Sequence, residues 1–121
     1  MQEHPQSADA WGYLGAACDA HEMVDCALSC YTNAFQLQPE DFRWPYLIAF
    51  NRELQGAAWQ EIVGFYQESA RLESAYPPVH FRIGEVLARQ GRTAEACAAY
   101  RQALDMDPEM TVAHVRLGQA L

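Results

Sequence analysis

The chain has 121 residues, of which eight are arginine, none is lysine and sixteen are acidic, so the formal net charge is −8. This length suits one domain with its own core, and the excess of acid argues against binding to nucleic acid or to an anionic membrane. No apolar stretch approaches the about 20 residues of a membrane helix, and the N-terminus lacks the basic and apolar regions of a signal peptide.

The predicted elements are all helices, because strong helix formers dominate and the turn signals and β-branched runs of a β-sandwich are missing. In chain order we expect a disordered start, three helix pairs and a single last helix, in segments 1–7, 8–41, 42–76, 77–110 and 111–121. Pro39 and Pro108 follow the second helix of a pair, where proline stops a helix. Pro45 and Pro77 fall in first turns, where proline is tolerated.

A repeat of about 34 residues supports this division of the chain. A set of residues near the N-terminus recurs 69 residues later, which is two steps of 34 plus one extra residue. The set is Leu14-Gly15, Ala27, Tyr31, Ala34 and Pro39, and its copies are Ile83-Gly84, Ala96, Tyr100, Ala103 and Pro108. The middle unit matches less well, and its spacing places the extra residue between Gly56 and Ile62.

A 34-residue unit with Trp11, Leu14-Gly15, Ala27, Tyr31 and Pro39 resembles the tetratricopeptide repeat (TPR) family. The resemblance implies an all-α, right-handed superhelical solenoid of antiparallel helix pairs, with three repeats and one terminal helix over residues 8–121. Each repeat buries its apolar face by stacking on the next. Gly15 and its counterpart Gly84 are expected to let the second helix of each pair approach the first closely.

No catalytic residue, cofactor or metal ion is expected, since the sequence contains none of the common nucleophile, phosphate-binding or metalloprotease motifs. His80 and His114 occupy packing positions of the repeat. The four cysteines, 18, 26, 30 and 97, form no C-x-x-C pair and are expected to act as small apolar core residues.

Two alternatives remain open for the cysteines. Cys26 and Cys30 share one helix face, so with His21 they offer a possible metal site, whereas a disulfide between two cysteines one helical turn apart rarely has suitable geometry. Unpatterned cysteines favour a reducing cytoplasm, although the export of a longer parent protein stays open. The use of arginine without lysine, together with abundant alanine, is typical of a bacterial protein from a GC-rich genome.

The TPR resemblance implies a concave groove lined by the first helix of each pair. Aromatic residues and arginines are common interface anchors, and arginine binds carboxylates in a two-pronged way. The predicted partner-binding residues are Tyr13, Arg43, Tyr46, Phe50, Phe81, Arg82, Glu85, Arg89 and Arg116. The alternative is an ordinary solvated helix face on which the aromatic residues complete local packing.

The sequence therefore predicts a non-enzymatic protein-interaction module that binds an extended or helical segment of a protein or peptide, with acidic groups of the partner at the arginine-rich end. The TPR clamp for chaperone tails is not expected, because Gly12, Ala16, Leu47 and Pro78 stand at its lysine and asparagine places and only Arg82 fits. Two other interpretations are a self-associating piece of a longer TPR array, suggested by the pattern stopping at Leu121, and a thiol or metal-binding protein.

Overall fold

The computed structural model describes residues 7–73 and 76–120, and Ala120 by its backbone alone. Seven helices and no strand lie in these ranges: α1 (Ala8–Ala20), α2 (Val24–Leu37), α3 (Arg43–Gln55), α4 (Trp59–Leu72), α5 (Pro77–Arg89), α6 (Thr93–Met106) and α7 (Thr111–Ala120). The all-α prediction is confirmed. The expected disordered start lies outside the described residues except for Ser7, whose side chain caps α1 by accepting from the Ala10 amide at 3.0 Å.

Each helix packs mainly against its neighbours in sequence, which is the arrangement of a solenoid. In the first and third pairs the close approach occurs at glycine, as the repeat predicts. A Cβ atom on Gly15 would lie 2.6 Å from Cε1 of Tyr31, and one on Gly84 would lie 2.6 Å from Cε1 of Tyr100. No larger residue fits between the helices there unless the tyrosine ring moves.

The turn inside each helix pair contains one residue with positive φ: Glu22 at 59°, Gly56 at 74° and Gly91 at 75°. These residues are 34 and then 35 positions apart. Because α4 begins at Trp59, the extra residue of the middle repeat lies between Gly56 and Trp59, within the interval that the sequence indicates.

The core contains one tyrosine from the second helix of each pair, at equivalent positions: Tyr31, Tyr66 and Tyr100 are all almost fully buried. Of the two histidines expected at packing positions, His80 is buried but His114 is exposed. The prediction fails for His114 because α7 packs chiefly against α6 among the described helices, so its other faces meet solvent. The Nε2 atom of His114 lies 2.7 Å from the carbonyl oxygen of Pro108.

The cysteines differ from the sequence prediction. Cys18 and Cys26 are joined by a disulfide, with their Cα atoms 5.8 Å apart, so they are not simple core residues. The bond crosses from α1 to α2 over the short turn between them, a pairing that the one-turn spacing of Cys26 and Cys30 on α2 does not indicate. Cys30 and Cys97 are free and buried, as expected of core cysteines.

Candidate functional site

The nine predicted partner-binding residues all lie on odd-numbered helices: Tyr13 on α1, Arg43, Tyr46 and Phe50 on α3, Phe81, Arg82, Glu85 and Arg89 on α5, and Arg116 on α7. We refer to these residues, with Asp9 and Glu53, as the odd-helix face. Because the second helix of each pair packs between successive odd-numbered helices, the residues of this face come from all three repeats and the last helix.

Ion pairs connect each odd-numbered helix to the next one along this face. Nη2 of Arg43 on α3 lies 3.1 Å from Oδ1 of Asp9 on α1, and Arg89 on α5 pairs with Glu53 on α3. Nε of Arg116 on α7 lies 2.9 Å from an oxygen of Glu85 on α5.

Three of the four predicted arginines therefore already have a carboxylate partner within the protein. Arg43 has a second one, Asp41, at 2.6 Å, and its guanidinium lies 4.6 Å from the centre of the Trp44 ring. These pairs make the face nearly neutral and fix the positions of its charges.

The buried tyrosines hold the carboxylates of this face in place. The Tyr100 hydroxyl donates to Oε1 of Glu85 at 2.8 Å, and the Tyr66 hydroxyl donates to Oε2 of Glu53. Burial, and then the nearby carboxylate, raise the pKa of both tyrosines well above the ordinary value, so both hydroxyls remain donors at neutral pH. Two of the acidic groups thus have fixed orientations.

Arg82 is the exception among the four arginines, because within the described residues no ion pair joins it to a carboxylate. Its guanidinium lies 5.1 Å from the centre of the Phe50 ring and near the Tyr46 side chain. Burial acts to lower the pKa of Arg82, but Tyr46, Tyr66 and Glu53 together raise it more, so the group stays charged. This is a positioned and partly buried cation.

The predicted aromatic residues divide into two kinds. Tyr46 and Phe81 are half-buried and pack against core tyrosines, with ring centres 5.6 Å from Tyr66 and 5.8 Å from Tyr100 respectively. Tyr13, in contrast, is 77% exposed. Only Tyr13 offers a whole ring to a partner.

The predicted set leaves out three exposed apolar residues at groove positions of the same helices: Leu54, Val112 and Val115. Leu54 is 59% exposed, and the two valines lie on α7. They occupy groove positions of the repeat, which is the sequence signal that identifies them. The sequence prediction omits them because aromatic residues and arginines are the commoner interface anchors.

A second cluster of reactive groups lies on the first helix pair. The sulfur atoms of Cys18, Cys26 and Cys30 are all within 4.8 Å of one another. His21, which the sequence groups with Cys26 and Cys30, is not part of this cluster. Cys18 takes its place.

Comparisons with known proteins support the repeat fold described above. A family model described as tetratricopeptide repeat matches residues 77–110. The fold matches the Arabidopsis OM64 TPR domain with a TM-score of 0.86 and 19% identity, covering 95% of this chain and 94% of that one. Residues 77–110 are a tetratricopeptide repeat, and the described chain has the TPR fold.

Two other solved structures are similar over nearly the whole domain. One is the first TPR of Spaghetti (RPAP3) bound to the HSP90 peptide SRMEEVD, with a TM-score of 0.87, 19% identity and coverage of 95% and 93%. The other is the Yersinia enterocolitica type III secretion chaperone SycD with a peptide of the translocator YopD, with a TM-score of 0.87, 17% identity and coverage of 93% and 90%.

A curated human relative, protein O-mannosyl-transferase TMTC2, is 32% identical over 84 residues, which are 68% of this TPR chain. The match spans only 10% of the length of that protein. Within the described part of this chain, no helix is long and apolar enough to cross a membrane.

Proposed function

We propose that this TPR domain is a non-enzymatic protein-interaction module whose odd-helix face binds an extended or helical segment of another protein. The partner places an acidic group at Arg82 and apolar side chains against exposed residues such as Tyr13 and Leu54. The observation that carries the proposal is that Arg43, Arg89 and Arg116 each form an ion pair within the protein, whereas no ion pair joins Arg82 to a carboxylate among the described residues.

The surroundings of Arg82 suit it to this task. The Phe50 ring and the Tyr46 side chain restrict the guanidinium, so a ligand loses less free energy in ordering it. A hydrogen bond between charged groups contributes about 1.5–3 kcal/mol, more than a bond between neutral groups. A carboxylate that reaches Arg82 therefore gains both binding energy and a fixed register along the face.

The ion pairs between odd-numbered helices have a different role in this proposal. They hold the spacing of α1, α3, α5 and α7, and they leave a face of nearly zero net charge on a chain of net charge −8. An acidic partner segment is thus less strongly repelled at this face than over the rest of the surface. Partner choice then depends on Arg82 and on the exposed apolar side chains.

Two of the structurally similar TPR proteins carry peptides, and the HSP90 peptide SRMEEVD is acidic. Their bound peptides support a general role in peptide binding for the present domain. A chaperone tail is not proposed as the ligand of this domain, since Gly12, Ala16, Leu47 and Pro78 supply no polar head group at the places of the clamp.

The test begins with a peptide display library selected against the wild-type domain. The affinity of a recovered peptide is then measured by calorimetry for wild type, Arg82→Glu and Arg101→Glu. Arg101 is an exposed arginine on α6, outside the odd-helix face, and serves as the matched control. We expect Arg82→Glu to weaken binding at least about tenfold, or 1.4 kcal/mol, and Arg101→Glu to change it by less than about twofold.

Backbone NMR shifts on adding the peptide locate the binding site independently. Shifts confined to the odd-numbered helices support the proposal. Equal binding by all three proteins, or shifts confined to α2, α4 and α6, overturn it and favour a merely solvated odd-helix face. Light scattering on the same samples tests the alternative of self-association.

A further inference from the structure

Three cysteines of the first helix pair are brought together although they lie on two helices. Cys18 is in the last turn of α1, while Cys26 and Cys30 are one turn apart on the same face of α2. Their sulfur atoms all lie within 4.8 Å of one another. The fold has thus placed three ligand atoms of the same soft type around one point.

We propose that the reduced form of this cluster binds one thiophilic d10 cation, Zn²⁺ or Cu⁺, through the thiolates of Cys18, Cys26 and Cys30. Sulfur ligands select these ions over Mg²⁺ or Ca²⁺. A tetrahedral Zn²⁺ ion with zinc–sulfur distances of about 2.3 Å spaces its sulfur atoms about 3.8 Å apart. This sulfur–sulfur distance is shorter than the 4.8 Å within which the three sulfur atoms lie.

The disulfide between Cys18 and Cys26 and the metal site are alternatives, because both use the same two sulfur atoms. A dithiol reductant opens the bond by giving two electrons and two protons. The reductant is released as a disulfide, and Cys18 and Cys26 become thiols. Binding of the cation then releases three protons, one from each cysteine, as three sulfur–metal bonds form.

The surroundings of the cluster favour a cation. Cys18 and Cys30 are buried, whereas Cys26 is half-buried and gives the ion a route from solvent. Asp19 and Asp25 flank the cysteines in sequence and add negative charge, which also attracts a cation.

Three protein ligands leave room for a fourth. His21 ends α1 between Cys18 and Cys26 in the sequence, and it is exposed. Because its ring lies outside the sulfur cluster, a water molecule completes a tetrahedral zinc site, while Cu⁺ accepts three sulfur ligands alone.

The experiment compares wild type with Cys30→Ser and Cys97→Ser. Cys30→Ser removes one proposed ligand but keeps both cysteines of the disulfide. Cys97→Ser is the matched control, because Cys97 is the other free, buried cysteine and lies on α6. Each protein is reduced, desalted without oxygen and titrated with Zn²⁺ or Cu⁺ against a chromophoric chelator. Native mass spectrometry counts the ions bound.

We expect one ion per chain in wild type and in Cys97→Ser. Affinity in Cys30→Ser should be at least about tenfold lower, since even the loss of a residue that only supports a ligand costs about 10–100-fold. The cobalt form of wild type should show sulfur-to-metal charge-transfer absorption that is reduced in Cys30→Ser.

Stoichiometric binding of either ion with this pattern supports the site, and the relative affinities identify the metal. Failure of both ions to bind the reduced, folded protein overturns the proposal, as does equal affinity in all three proteins. If reduction removes the helical circular dichroism signal, addition of the ion should restore it. An unrestored signal also counts against the site.

Discussion

Glu53 on α3 and Arg89 on α5 form an ion pair that joins two odd-numbered helices of neighbouring repeats. The two side chains contribute unequally to the pair. That of Glu53 is 11% exposed and also accepts a hydrogen bond from the buried Tyr66, whereas that of Arg89 is 62% exposed. Removal of the Glu53 carboxylate should therefore lower the free energy of unfolding more than removal of the Arg89 guanidinium.

We expect Glu53→Ala to lower the free energy of unfolding by about 1–3 kcal/mol, because the Tyr66 hydroxyl loses its acceptor in the core. Arg89→Ala should cost less than about 1 kcal/mol, as is usual for an exposed partner of an ion pair. Urea denaturation followed by circular dichroism measures both values. An equal loss in the two variants would show that the tyrosine contact contributes little.

The close contact of Gly84 with Tyr100 predicts a large effect of a single methyl group. A Cβ atom at position 84 would lie 2.6 Å from the Tyr100 ring, so Gly84→Ala should reduce stability by about 1–3 kcal/mol. Gly64 on α4 has open space around the corresponding point, and Gly64→Ala should add about 0.5–1 kcal/mol through helix propensity. Thermal melts of the two variants should shift in opposite directions.

The turn of the first repeat contains Glu22 at a position where the other two repeats have glycine. Its φ of 59° is unfavourable for a residue with a Cβ atom. We expect Glu22→Gly to raise the free energy of unfolding by about 0.5–1 kcal/mol, and Gly91→Ala, at the equivalent turn, to lower it by about 1 kcal/mol. Chemical denaturation of both variants is the check, and an unchanged Glu22→Gly would refute the strain argument.

The buried tyrosines predict a loss of stability at high pH. Burial and a neighbouring carboxylate raise the pKa of Tyr31, Tyr66 and Tyr100 in the folded state. Above the unfolded pKa of about 10, the unfolded chain binds fewer protons than the native one, so the free energy of unfolding falls as pH rises. Below about pH 10 the stabilisation from these three tyrosines is fully present.

Denaturation midpoints between about pH 8 and 11 measure this slope. Tyr66→Phe should flatten it, and Tyr13→Phe, at an exposed position, should leave it unchanged. A Tyr66→Phe variant with the wild-type slope would contradict the assignment.

The disulfide between Cys18 and Cys26 closes a short loop, with a sequence separation of 8 residues. From the loop entropy of the unfolded chain, reduction should cost about 2–3 kcal/mol. The measurement is urea denaturation with and without reductant, in the presence of a metal chelator. Cys97→Ser should lose the same amount on reduction, and Cys18→Ser should not respond.

The division into helix pairs could be predicted because each repeat depends on local signals. Glycine faces tyrosine at Gly15 and Gly84, and proline stands beyond the second helices at Pro39 and Pro108, so periodicity alone places them. The ion pairs of the odd-helix face were harder to predict, although their residues are 31 to 36 positions apart, close to one repeat. Sequence distance does not show whether an arginine faces the neighbouring repeat or a partner.

The sequence by itself determined the all-α class, the 34-residue period and the helices that carry the candidate binding residues, since these follow from local propensity and from stacking of neighbouring repeats. Only the tertiary structure decided that Arg82 differs from Arg43, Arg89 and Arg116, and that Cys18 joins Cys26 and Cys30. These relationships depend on which side chains of different helices point at one another, and a repeat pattern leaves that orientation open.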